Sequence, residues 1–215
     1  MGVMKNLEPL MEKDPDFETE KYYSSAFRSG QYGDVQYALP YETVPTLMFV
    51  NKTLLAKEGI ALPNPDWNWD TMYSICQKVT RDTNEDGVID QFGCYNFGWQ
   101  NAVYSNNGEI FEPDGKESNF TDEKVTEAIQ FTRRLNDLYQ GEKVTQEDFN
   151  AGHVVFMPLT FAEYRTYKTY PYKIKRYEQA LALADSEIGQ ILENDETIDS
   201  SLKILQRTVN SYLQQ

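Results

Sequence analysis

The stretch from Tyr37 to Gly93 constrains the fold of this chain more than any other. Val44–Val50 is a short apolar run of the kind that forms a buried strand. Asn51 is placed to cap a helix over Lys52–Glu58, and Gly59 stands where a left-handed residue ends it. Pro63 and Pro65 make a rigid connector. Asp70 then reads as the N-cap of an amphipathic helix over Thr71–Thr80, with Trp69 and Ile75 spaced to close across its start. An acidic loop leads to a second strand over Phe92–Phe97. Strands and helices alternating in this way indicate an α/β layer architecture.

The remainder is richer in helix than in strand. Residues 3–14 and 17–29 read as two short helices broken at Asp14-Pro15, with Tyr22, Tyr23 and Phe27 forming one apolar stripe. Residues 30–36 read as a glycine-containing turn. A short helix over Gly98–Tyr104 is expected before turns at Asn106-Asn107-Gly108 and Asp114-Gly115. Residues 122–140 form a strongly periodic helix, with Val125, Ala128, Ile129, Phe131, Thr132, Leu135 and Leu138 largely on one side. Thr145 caps Gln146–Ala151, Gly152 stops it, and Val154–Met157 is a further buried strand. Leu159–Tyr170 reads as helical until Pro171. Residues 178–215 read as two helices split near Asn194-Asp195, the second carrying Ile198, Leu202, Leu205, Val209 and Leu213.

Composition narrows the function. The 215 residues carry a net charge of −14, from 34 acidic and 20 basic side chains. That balance weighs against nucleic acid or an anionic membrane as partner, because phosphate binding needs clustered cations. No run of 18 apolar residues is present, so no membrane span is expected. With His153 the single histidine, neither a His-based metal site nor a His-activated nucleophile can be assembled. No phosphate-binding glycine loop or nucleophile elbow occurs either, so no enzyme activity is expected. Cys76 and Cys94 read as buried free thiols, with one bridge between them as the alternative. Aromatic residues make up 13% of the chain, which suits a core and a sugar-stacking surface equally.

Two segments carry further chemistry. Asp82-Thr-Asn-Glu-Asp-Gly-Val-Ile-Asp-Gln places side-chain oxygens of Asp82, Asn84, Asp86 and Asp90 at loop positions 1, 3, 5 and 9. Gly87 stands at position 6, and the Val88 carbonyl would fill position 7. Calcium takes six to eight oxygens, and this spacing wraps such a shell around it. Position 12 is Gly93 rather than the usual glutamate, and a solvated Asx-turn loop is the alternative. Between Arg165 and Arg176 lie five cations interleaved with tyrosines, read as a solvated surface, with acidic sugar or nucleic acid as competing partners.

Taken in order, Tyr37-Ala-Leu-Pro, Pro45-Thr-Leu-Met-Phe-Val-Asn-Lys-Thr-Leu-Leu, Gly59-Ile, Trp67-Asn-Trp-Asp and Asp82–Gly93 resemble the extracellular solute-binding proteins of carbohydrate ABC importers. Thr145 and the run Phe149-Asn-Ala-Gly-His-Val-Val-Phe-Met157 resemble the family segment that ends on a cleft-facing strand. The helix from Ile198 resembles the family's terminal helix. The likeness covers residues 35–165 and the C-terminal end. It implies an α/β fold, a single helix-rich lobe of the type II periplasmic-binding-protein architecture, with a central sheet flanked by helices. Residues 1–215 would be one domain: 35–177 the main α/β part, 178–215 C-terminal helices, and the first lobe missing.

The resemblance further implies binding of a sugar or oligosaccharide for delivery to ABC importer membrane subunits, with affinity weakened in a single lobe. The alternative is a calcium-stabilised protein-interaction module with no small-molecule ligand. The location implied is extracytoplasmic, in the periplasm or as a cell-surface lipoprotein, with the export signal removed. Phe97 and Trp99 fall where the family places an aromatic at the cleft floor. Phe161, Tyr164 and Arg165 follow the strand at Val154 as further ligand contacts. For Ca2+, the family pattern adds Gln91 to Asp90 as a ligand.

Overall fold

The computed structural model describes residues 4–113, 115–160, 177–193 and 198–213. At the N-terminal end, α1 (Glu8–Met11) is one turn long and α2 spans Ser24–Ser29. The two longer helices expected there are thus reduced to short pieces. Phe17, Tyr22 and Phe27 do meet, with Tyr22 5.8 Å from Phe17 and 5.6 Å from Phe27. Tyr23 departs from the expected stripe and is 77% exposed. The turn at 30–36 is a small hairpin, β1 (Gln31–Tyr32) pairing with β2 (Val35–Gln36), reversed at Gly33 with φ +59°.

Among the described residues the main sheet has three strands. β3 (Thr46–Val50) is followed by α3 (Lys52–Lys57), α4 (Trp69–Val79) and β4 (Phe92–Cys94). Then come α5 (Trp99–Ser105), α6 (Glu123–Asp137), α7 (Gln146–Asn150) and β5 (Val154–Thr160). The spatial order is β3-β5-β4, with β4 parallel and β3 antiparallel to β5. Thr46 pairs with Thr160, so the start of β3 shares one edge of the sheet with the carboxyl ends of β4 and β5.

Several boundaries differ from expectation for identifiable reasons. Asn68, not Asp70, caps α4: its side chain accepts from Thr71 N at 3.1 Å while its own backbone is extended. The helix therefore begins two residues early and takes Trp69 into its first turn. β3 was expected to be buried, yet Leu47 is 42% and Phe49 37% exposed. Among the described residues it is an edge strand with β5 as its one ladder partner, and the face carrying Leu47 and Phe49 has no layer packed over it. β5 runs through Leu159 to Thr160, where a helix was expected, and the rest of that expected helix lies outside the described residues. Asp114 of the expected turn also lies outside them; Gly115 beside it has φ +69°.

Helices flank the sheet and, among the described residues, build two large cores beside a smaller one of Phe92, Tyr139 and Val154. Met72, Cys76 and Val79 of α4 meet Phe131 and Leu135 of α6 and Phe156 of β5. Gly93 lets α4 approach β4, since a Cβ there would lie 2.4 Å from Cys76 Cβ. The second core joins α5 and α6 to α8 (Tyr177–Glu193) and α9 (Ile198–Leu213) through Val103, Ile129, Ile188, Leu205 and Val209. Both cysteines are free and buried.

Candidate functional site

In an open α/β sheet, ligands seat outside the carboxyl ends of the strands. Here that edge begins where β4 ends. Asn96, exposed, adopts φ +59°, a conformation unusual for a residue with a Cβ. The chain then turns through Phe97 and Gly98 into α5. Phe97 is half-buried, its ring edge-on to Phe131 at 6.2 Å. It lines two cavities at once. One, of about 920 Å3, runs beside Tyr95, Asn96, Asn136 and Lys143. The other, of about 780 Å3, is walled by Trp67, Trp69, Phe97 and Phe131 and edged by Glu127, Gln130 and Arg134.

Of the five expected ligand contacts, Phe97 reaches this edge. Trp99 also borders the larger cavity, but it is only 7% exposed and packed against the core, its ring 6.0 Å from Phe120. Its indole N–H donates to Asp185 Oδ1 at 2.9 Å. The reason is local. Gly98 starts α5, so the next residue falls on the helix face covered by α8 rather than on the loop. Phe161, Tyr164 and Arg165 lie outside the described residues.

Trp69 was expected only to close across the start of α4, and Trp67 was given no ligand role; both line the smaller cavity. Trp67 stacks on Phe156 at 5.4 Å and Trp69 on Phe131 at 4.4 Å, both nearly parallel. Trp69 also donates from Nε1 to Ser105 Oγ at 3.2 Å. The available signal was the Trp-Asn-Trp spacing: two indoles flanking a cap residue are held at the end of a helix instead of inside its buried stripe.

Beneath the larger cavity lie three buried groups, Tyr139, Cys94 and Cys76. The Tyr139 phenol donates to Cys94 O at 2.9 Å and accepts from Cys94 N at 3.1 Å, occupying the free edge of β4. Burial pushes Tyr139 and Cys94 well above their usual ranges, and Cys76 up to about 12. Groups locked in their protonated forms can shape a binding site; they supply neither a base nor a thiolate nucleophile near neutral pH.

The acidic loop closes on itself. Asp82 accepts from the N–H groups of Asn84, Glu85 and Gly87 at 3.1, 2.7 and 2.6 Å. Asn84 accepts from Asp86 N, and Asp86 from Val88 N. Asp90 is turned to Thr83, accepting from its N–H and its hydroxyl. Gln91 departs from its expected role: its side chain is buried and donates to Val79 O at 2.8 Å. Among the described residues, no three His, Cys, Asp or Glu side chains converge to hold a metal ion.

None of the curated proteins matches the chain in sequence. Solved structures do match its fold. An ABC substrate-binding protein from Listeria monocytogenes, in complex with cycloalternan, superposes with a TM-score of 0.70 at 14% identity, covering 99% of this chain and 81% of that one. The sugar-binding protein MalE from Xanthomonas citri gives 0.77 at 9% identity, covering 98% and 79%. A cyclic alpha-maltosyl-1,6-maltose binding protein from Arthrobacter globiformis gives 0.74 at 13% identity, covering 99% and 80%. The fold is therefore that of type II periplasmic binding proteins, and these relatives are binding proteins rather than enzymes. Among the described residues no helix is long and apolar enough to cross a membrane. Residues 2–158 match the family model of bacterial extracellular solute-binding proteins, so the chain belongs to that family.

Proposed function

We propose that this protein binds a sugar or oligosaccharide outside the cell and delivers it to the membrane subunits of an ABC importer. The observation that carries this reading is Phe97, a half-buried ring at the carboxyl end of β4 that lines two cavities with polar neighbours. Sugar rings stack their C–H faces on such a ring while their hydroxyls meet amide and charged groups. The relatives in complex with cycloalternan and named for cyclic maltosyl-maltose support the same class of ligand. Phe161, Tyr164 and Arg165 are proposed as further contacts because they follow β5 in the sequence as Phe97 follows β4.

Isothermal titration with maltotriose and mannotriose tests this reading. Saturable binding is expected, and Phe97→Ala should weaken it about tenfold, the loss of one stacking contact. A chain that binds neither sugar, or binds one equally well without Phe97, overturns it.

We further propose calcium as a structural ion at Asp82, Asn84, Asp86, Val88 and Asp90. The oxygen spacing and the Gly87 turn, with φ +92°, support it. Binding there would cost the Asp90–Thr83 hydrogen bonds.

A further inference from the structure

We infer that the cavity between Trp67 and Trp69 seats an outlying unit of a neutral oligosaccharide whose inner units lie at Phe97. This rests on the sugar-binding reading above and extends it to a length of ligand.

Four observations converge. The first is continuity, because Phe97 forms a wall of the Trp67–Trp69 cavity and also of the larger cavity beside Asn96. A chain lying against Phe97 is therefore within one ring of both. The second is rigidity. Each indole is backed by a second ring, Trp67 by Phe156 and Trp69 by Phe131, and both flank Asn68, which is fixed as the cap of α4. Rings already ordered lose little entropy when a ligand stacks on them. Both stay half-buried, unlike core tryptophans sealed on every side, so part of each remains on the cavity wall.

The third observation is the rim. Glu127, Gln130 and Arg134 are exposed and recur at i, i+3 and i+7 on α6, so they share one face of that helix beside the rings. Arg134 is itself held, its guanidinium 4.3 Å from the centroid of the Tyr73 ring. Carboxylate, amide and guanidinium ends are planar groups that can each engage neighbouring hydroxyls. The fourth is charge. Asp70 and Glu127 against Arg134 leave the rim net negative, which disfavours an acidic sugar and favours a neutral one. The volume of about 780 Å3 lies inside the usual range of small-molecule sites.

The test is a chain-length series on the intact protein, with linear neutral α-glucans and β-mannans from two to six units, read by titration calorimetry and tryptophan fluorescence. Wild type is expected to gain about fivefold in affinity between the short and long members of the series it accepts, with indole fluorescence changing at the step where the gain appears. Trp67→Ala should collapse the ratio of long-chain to short-chain affinity towards one. Trp67 packs on Phe156, so Gln130→Ala, an exposed change on α6, serves as the second variant and should lower the same ratio. Binding that is independent of length, or a length gain untouched in both variants, overturns the outlying seat while leaving sugar binding at Phe97 standing. Absence of binding at every length overturns both.

Discussion

Trp99 donates its indole N–H to Asp185 Oδ1 at 2.9 Å, fastening α8 to the start of α5. Three further bonds continue this seam along α9. Asn210 Oδ1 accepts from both the N–H and the hydroxyl of Ser118 at 2.6 Å, and Gln206 Oε1 accepts from Thr121 N at 2.6 Å. The C-terminal helices are thus tied to the segment between α5 and α6 as well as packed on it.

The members of this seam should differ in weight. Asp185 is exposed, so water replaces it when it is removed, and Asp185→Ala should cost about 1 kcal/mol. Ser118 is 1% exposed, so Asn210→Ala strands two buried donors and should cost about 2–3 kcal/mol. Urea unfolding of both variants measures the order. Equal losses would show that the buried donors find another partner.

Gly93→Ala should be among the most damaging single methyl additions in the chain. The new Cβ would stand 2.4 Å from Cys76 Cβ and 2.6 Å from Cys76 Cα. Forced overpacking of this kind costs about 1–3 kcal/mol, and more when backbone must move. Cys76→Ala should not rescue it, because alanine keeps both of those atoms. Thermal melts of the single and double variants decide the point, and full rescue would locate the clash at the sulfur instead.

How much of this was legible beforehand depended on how local the cause was. The capping of α3 by Asn51, the α6 stripe through Val125, Ile129 and Leu135, and the capping of α7 by Thr145 all lie within one or two turns of sequence, and they appear as expected. Asn68 and Asp70 are both good cap residues on composition. The choice between them followed from Trp69 stacking on Phe131, a contact between distant helices. β3 looked buried because apolar runs do not announce which strand stands at an edge. The anchoring of Trp99 to Asp185 was not legible, because nothing near it in sequence reveals α8, some eighty positions later. Phe97 and Trp99 are separated by one glycine and both border the larger cavity, yet the start of α5 leaves Phe97 half-buried and packs Trp99 into the core.

The buried thiols set the alkaline limit of the fold. Burial raises Cys76 from 9.0 to about 12 and Cys94 well above 9.0. A raised value in the folded state means the protonated form is favoured there. The associated stability is complete below pH 9.0 and declines as pH rises from 9.0 towards the folded-state values. Melting temperature should therefore fall above pH 9, and Cys76→Ala should flatten part of that fall. A disulfide-exchange reagent at pH 8 should label neither cysteine until urea is added. Rapid labelling of the native protein would contradict the burial.

The acidic loop makes the opposite prediction, at the other end of the pH scale, and separates calcium from hydrogen bonding. Backbone N–H groups, foremost that of Gly87, hold Asp82 below its ordinary 3.8. A lowered value means its contribution is complete above pH 3.8 and is lost as pH falls through the folded-state value. That acid step belongs to the N–H bonds and should persist in chelator; Asp82→Ala should remove it. Calcium adds a separate effect. Asp82, Asp86 and Asp90 bring three carboxylates into one loop, and an ion that binds only the folded form stabilises it by roughly 2.7 kcal/mol at a hundredfold excess over its dissociation constant. At neutral pH, then, chelator should lower the melting temperature of wild type, and Asp86→Ala, which keeps the Asp82 bonds, should abolish the difference. If wild type melts identically with calcium and with chelator while the acid step remains, the loop is a turn held by its own backbone and needs no cation.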